Sequence, residues 1–325
     1  MKILKRFLTI SFLATGFLLP KVCIAQLEDV RIGVPSYSLS VIALRIAQAK
    51  GMFQEEGLAV TLIQMKTNIT ISALTTKNID YATASVAAMR SAISGLPIKT
   101  VMFMVQRPLH VLVARPEIRT IQELKGKILS IGAYGDLTDF ILRAILAQHQ
   151  IDRERDVNVF IVSGSGARLA ALLSGKVDAA ILPPPFNVKA EHQGLRRLAA
   201  GADFYEGGIT GLSVHTDKLR KNPQQIRKMI RAVFKAHAFM KSNKSETIQI
   251  MSEWLKLEPS VAVASYEIYL RALSPNGLVS DRALMLDVER TRETLKIKED
   301  VPLSRVVDFT NVRETLQQQR GAPGR

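Results

Sequence analysis

From Val30 onward, short runs of aliphatic and β-branched residues alternate with stretches in which apolar positions recur every three or four residues. Continuous or period-two apolar runs predict strands, and a 3.6-residue period predicts helices. Strand-like runs lie at 30–34, 59–64, 81–84, 100–105, 110–114, 128–131, 157–162 and 179–182, with a further one at 212–215. The pattern predicts a helix at 40–50, capped by Ser40 and stopped by Gly51. It predicts others at 69–76, at 138–149 with Thr138 as cap, and at 167–173. Strands alternating with helices of this length argue for βαβ units and mostly parallel sheets. From Pro223 the pattern changes, and helix follows helix over 223–241, 246–255, 260–272 and 281–295.

One unit occurs twice. Leu74-Thr75-Thr76-Lys77-Asn78-Ile79-Asp80-Tyr81-Ala82 has the same pattern as Leu172-Leu173-Ser174-Gly175-Lys176-Val177-Asp178-Ala179-Ala180, 98 residues later. Each reads as a helix end, a tight turn, an aspartate and a strand start. A single use in each half predicts two lobes of related build, not a repeat array.

The beginning of the chain changes the compartment. Lys2, Lys5 and Arg6 precede an apolar run at 7–19, then Pro20 and the small-residue step Cys23-Ile24-Ala25. This is the pattern of a secretory signal peptide over residues 1–25, cleaved after Ala25, and the run is shorter than the about 20 apolar residues of a bilayer span. Lys21-Val22 ahead of Cys23 is not the small-residue setting of a lipid-attachment site. Cleavage removes the only cysteine, so neither disulfides nor cysteine chemistry is expected in the mature chain. It also removes four of the 44 Lys and Arg residues and no acid, leaving 40 basic against 29 acidic residues, a net of +11. No run of five like charges occurs, and Lys218 to Lys241 offers only Phe234 and Phe239 beside its basic residues. Nucleic-acid binding is not expected from such a spread.

Three segments together carry a resemblance. Ala47 to Val60 (AQAKGMFQEEGLAV), Ile121 to Lys127 (IQELKGK) and Ser174 to Ala179 (SGKVDA) stand in order and at matching spacing. They resemble segments of the periplasmic binding proteins for nitrate, sulfonates, taurine and thiamine-pyrimidine precursors. The resemblance runs from about Val30 to Asp203 and more loosely beyond. It implies a two-lobed α/β fold of the type II binding-protein class, each lobe a mostly parallel sheet flanked by helices, with a helical C-terminal part on lobe one. It also implies a monomeric receptor that captures a small solute in the periplasm and hands it to the membrane permease of an ABC importer, without a cofactor or metal. Lobe one is expected to hold residues 26–110 and 212–325 and lobe two residues 111–211, with crossings at 107–114 and 207–211 acting as hinges. Two loops depart from the family pattern, Met65-Lys66-Thr67-Asn68 and Pro183-Pro184-Pro185-Phe186. Both are expected to face the solute, so the cargo of better-known members does not carry over.

The chemistry follows from the topology. In open parallel sheets, ligands sit beyond the carboxyl ends of strands, where helix N-termini offer free N–H groups. This selects Ser36, Tyr37, Ser38, Asn68, Thr70 and Ser85 in lobe one, and Arg107 at the crossing. In lobe two it selects Tyr134, Gly135, Asp136, Ser163, Ser165, Pro185, Phe186 and Asn187. Tyr37, Tyr134 and Phe186 are candidates for an apolar clamp, while Arg107, Arg168 and the net charge favour a small organic anion. Asp136 and Glu206 leave a cationic or heterocyclic solute open. Catalytic patterns are missing: the histidines at 110, 149, 192, 215 and 237 have no metal-ligand spacing, and no GxSxG elbow or SxxK occurs at a strand-to-helix turn. Gly164-Ser165-Gly166 opens a helix after a strand, but Leu169 stands where a dinucleotide fingerprint needs its third glycine. Asp80 and Asp178 read as structural acceptors in the repeated turn. An exported enzyme or a sensing module on the same fold is the alternative reading.

Overall fold

A computed structural model describes residues 26–321; the predicted leader and Cys23 lie outside them. β1 (Glu28–Val34) runs into α1 (Ile42–Ala49) and α2 (Met52–Glu55), then β2 (Leu58–Gln64), α3 (Thr67–Thr75), β3 (Tyr81–Ala82), α4 (Ser85–Ile93) and β4 (Ile98–Val105). The chain crosses to β5 (Val111–Ala114), β6 (Ile128–Ile131), α5 (Leu137–Gln148), β7 (Asn158–Ile161), α6 (Ser165–Leu173), β8 (Ala179–Leu182), α7 (Phe186–His192) and β9 (Arg196–Ala200). It returns through β10 (Thr210–His215) and α8 (Thr216–Lys221) into the helices α9 (Pro223–Ser242), α10 (Lys244–Leu255), α11 (Pro259–Ala272), α12 (Asp281–Leu295), α13 (Leu303–Val306) and α14 (Thr310–Gly321).

Two sheets result, ordered β2-β1-β3-β10-β4 and β7-β6-β8-β5-β9. In each, the fourth strand alone is antiparallel to its neighbours, and it is the strand the chain enters after a crossing. The repeated unit explains why the two halves agree. The Asp80 carboxylate accepts the Arg31 N–H at 2.8 Å, and the Asp178 carboxylate accepts the Ile128 N–H at 2.9 Å. Lys77 and Gly175, also 98 positions apart, both take left-handed φ, +62° and +72°. Each aspartate thus ties its turn to a neighbouring strand, Asp80 at the middle of β1 and Asp178 at the start of β6. Asp178→Ala leaves that strand-edge N–H without its acceptor and is expected to destabilise by about 1–3 kcal/mol, read as a lower urea midpoint at unchanged slope.

Local readings needed several corrections. A short 3-10 turn over Leu39–Val41 precedes α1, and Ser40 does not cap it, because the chain is already helical at that point. Asp136, not Thr138, caps α5, since its carboxylate reaches the Asp139 N–H at 3.0 Å. α6 begins at Ser165 rather than at Ala167. α4, α7, α8, α13, α14 and β9 gave no clear pattern: α4 is built of small residues, α7 starts out of a triple proline, and β9 opens with two exposed arginines. β10 starts at Thr210, ahead of the expected lobe boundary, because Gly211 lets the strand pass close over the Met102 carbonyl, where a side chain has no room.

The C-terminal helices do more than cover lobe one. Val188 of α7 is buried with Leu257, Val261 and Ala262 at the α10–α11 elbow, so an apolar seam joins this part to lobe two. α12 packs on α4 and also holds the return crossing, where the Asp287 carboxylate accepts the Tyr205 hydroxyl and the Gly208 N–H, the latter at 3.1 Å. Gly207 lies so close against the same carboxylate that a β-carbon has no space. The C-terminal part therefore contacts both α7 of lobe two and the return crossing.

Candidate functional site

β1, β2 and β3 run parallel, so their carboxyl ends share one sheet edge, as do those of β6, β7 and β8, and Gly135 of the β6–α5 loop lies against Arg90 of α4. On the lobe-one side, the loop after β1 leaves Ser36 exposed and Ser38 half-buried. Tyr37 is 43% exposed, its hydroxyl donates to the Leu62 carbonyl at 3.1 Å, and its ring lies 5.4 Å from that of Trp254 on α10. Asn68 is exposed in the first turn of α3, whereas the buried Thr70 hydroxyl is occupied by the Met65 and Lys66 carbonyls, both at 3.1 Å. Ser85 opens α4 fully buried, and its hydroxyl finds no hydrogen-bond partner among the described residues. α3 and α4 start without a side-chain cap, so their first N–H groups are unclaimed by side chains.

Lobe two is built differently at each loop. After β6, Gly135 turns at φ +71° and gives its N–H to the Asp139 carboxylate at 2.8 Å. Asp136 accepts the Thr138 hydroxyl at 2.6 Å as well as the Asp139 N–H. Two carboxylates thus occupy the start of α5, which leaves this helix end ill suited to an anion. Tyr134 is 57% exposed, with the Arg153 guanidinium 5.0 Å above its ring. After β7 the arrangement reverses: Ser163 is exposed, and α6 starts with no acid in its first turn and no side-chain cap. Arg168 in that first turn is only 4% exposed. Its guanidinium donates to the Ile181 carbonyl, the Val162 carbonyl and Ser165 Oγ, each at 3.0 Å. No carboxylate of the described residues lies within ion-pair distance of it. Burial lowers its pKa, and the nearby Asp136 charge opposes that shift.

After β8, Pro185 is half-buried, and the Phe186 ring lies 3.4 Å from where Gly166 would carry a β-carbon. Asn187 is fully buried, and neither end of its carboxamide has a partner among the described residues. Buried amides left unpaired cost about 1–3 kcal/mol, so this group needs water or a ligand. Arg107 is exposed on the outgoing crossing. Beside that crossing, His110 is pushed down to about 3, first by burial and then by the Arg168 charge, and is neutral at physiological pH. Pattern reading did not find Arg90 of α4, whose Nη1 lies 3.2 Å from the β-carbon position of Gly135 across the rim, nor Trp254, nor His110. The signal available for Trp254 was its being the chain's single tryptophan.

Among the described residues no helix is long and apolar enough to cross a membrane. The NMT1/THI5-like family matches residues 39–247. The chain is 26% identical over 220 residues to the riboflavin-binding protein RibY of Chloroflexus aurantiacus, an alignment covering 65% of this chain and 61% of that relative's length. It is 24% identical over 324 residues to the putative binding protein YtlA of Bacillus subtilis, covering 94% of this chain and 97% of the relative. Among solved structures, the periplasmic aliphatic sulphonate binding protein SsuA of Escherichia coli superposes with a TM-score of 0.73 at 20% identity, over 86% of this chain and 97% of that one.

Proposed function

The chain belongs to the NMT1/THI5-like family, and from that premise we propose that it is the solute-binding receptor of an ABC-type importer, holding a small organic anion between its lobes. Support for a small-molecule cargo comes from the relatives, one named for riboflavin binding and a structural neighbour named for aliphatic sulphonate binding. The observation that carries the anion is Arg168, a buried guanidinium that forms no ion pair among the described residues although the Asp136 charge is nearby, set at the uncapped start of α6. Arg168 is hydrogen-bonded to neutral acceptors, and an anion at the start of α6 adds a direct charge partner that Asp136 does not supply at ion-pair distance. Lobe one (26–110 and 212–325) and lobe two (111–211) close by a hinge at the two crossings. The closed form, in the periplasm after removal of residues 1–25, is what a permease receives.

A thermal-shift screen of sulfonates, carboxylates, nitrate, pyrimidines and amines tests the reading. An anion at ~100 times its Kd is expected to add about 2.7 kcal/mol, a rise of a few degrees in Tm. Stabilisation confined to pyrimidines or amines removes the anion and leaves a receptor for a neutral or cationic solute.

A further inference from the structure

A cavity of about 450 Å³ lies beside the outgoing crossing. Its walls are the crossing at 108–111, the edge strand β9 with the 3-10 turn Gly201–Asp203 that follows it, and one face of α11. No residue of the strand-end loops at 36–38, 66–70, 134–136, 163–166 or 185–187 lines it, so it is separate from the candidate solute site. Its size falls within the about 300–1,000 Å³ of small-molecule sites. Backbone bonds fix the walls on both sides of the crossing. The Gln106 N–H donates to the Ala272 carbonyl of α11 at 2.9 Å, and the Gly201 N–H donates to the His110 carbonyl at 2.8 Å.

The lining says what would fit. Nine of its thirteen residues are apolar, which suits an occupant with an apolar body, and alanines at 199, 200, 202 and 272 leave the room for it. The charged groups on the wall are Arg197, Arg271 and Asp203, all exposed. Glu191 holds Arg197 at 2.8 Å. Arg271 and Asp203 form no ion pair among the described residues, with each other or with any other group, although they line one cavity. His110 adds a ring nitrogen, Nδ1, that is buried without a hydrogen-bond partner among the described residues. A buried polar atom of this kind calls for water or a ligand atom. One free charge of each sign over an apolar floor matches a zwitterion with an apolar side chain.

We propose that this cavity binds an apolar α-amino acid, its carboxylate at Arg271, its ammonium at Asp203 and its side chain on the floor between β9 and α11. The site is independent of what the space between the lobes holds.

Calorimetric titration of the full mature chain tests it with three compounds of one shape: L-leucine, 4-methylpentanoate, which lacks the ammonium, and 3-methylbutylamine, which lacks the carboxylate. Leucine is expected to bind about 10-fold or more tightly than either analogue, because each analogue loses one charge-assisted contact. Arg271→Gln is expected to weaken leucine about 10-fold and leave the amine's affinity unchanged. Asp203→Asn is expected to weaken leucine equally and leave 4-methylpentanoate unchanged. Both side chains are exposed, and circular dichroism confirms that the variants fold. Ala202→Trp, which puts an indole into the cavity, is expected to abolish leucine binding. No leucine binding at millimolar concentration, or equal affinity for leucine and either analogue, overturns the proposal and leaves the anion receptor untouched. Leucine binding that survives Ala202→Trp and is lost in Arg168→Met puts the amino acid between the lobes and overturns it as well.

Discussion

Arg168→Met is expected to weaken binding of any stabilising anion by about 10- to 100-fold while moving folding stability by no more than about 2 kcal/mol. The two effects separate because they have different physical origins. Methionine keeps an unbranched apolar stem in the space the arginine fills, so no large cavity opens. It gives up three hydrogen bonds, to the Ile181 and Val162 carbonyls and to Ser165 Oγ. Against that loss, and the loss of attraction to the nearby Asp136 charge, the variant no longer holds a 4%-exposed charge, and the desolvation it removes offsets much of what these contribute. Binding has no such offset, since a charge-assisted bond to the ligand simply disappears. Calorimetric titration beside urea denaturation reads both. Unchanged affinity would place Arg168 among the structural residues and remove the cation from the site. Arg168→Ala adds a cavity and is expected to be the less stable variant of the two.

The second large effect concerns pH and the return crossing. The Asp287 carboxyl is 6% exposed and its pKa is pushed up to about 6, burial outweighing the Tyr205 and Gly208 hydrogen bonds and the Arg290 charge. Its folded pKa therefore lies above the ordinary 3.8. The folded state binds this proton more tightly than the unfolded chain, so the group's stabilising contribution is fully present below about pH 3.8 and is lost as pH rises through 6. Two units of pKa correspond to about 3 kcal/mol. Asp287→Asn cannot titrate, so the stability of wild type minus that of the variant is expected to fall by about 2–3 kcal/mol between pH 4 and pH 7.5. Paired denaturant titrations across that range measure it, with the difference cancelling the other carboxylates. A difference that stays flat shows that Asp287 is ionised throughout. Tyr205 answers to the same site: burial, then the Asp287 charge, holds its phenol well above the usual tyrosine range.

Much of this fold could be read from short stretches of chain, because the forces that decide those features act locally. Apolar periodicity located every strand except β9, and the repeated Lys77–Asp80 and Gly175–Asp178 turns announced two lobes of one build. An aspartate in a helix-end turn that bonds to the N–H of a neighbouring strand gives the same local pattern wherever it occurs. Loops beyond strand ends could likewise be named as site candidates, since parallel topology alone places them. What those loops do was decided by tertiary structure. Asp136 and Thr70 carry polar groups of the right type but use them on their own helix ends. Arg168, by contrast, is buried with carbonyls and a hydroxyl as its hydrogen-bond partners because β8 and the β7–α6 loop close around it. Trp254 reaches Tyr37 from more than two hundred positions away, Val188 meets the α10–α11 elbow, and Asp287 holds the return crossing. None of these contacts has a local period or motif. They arise when a helical C-terminal part packs against two already formed lobes, and the burial that gives each its energy does not exist until the whole chain is folded.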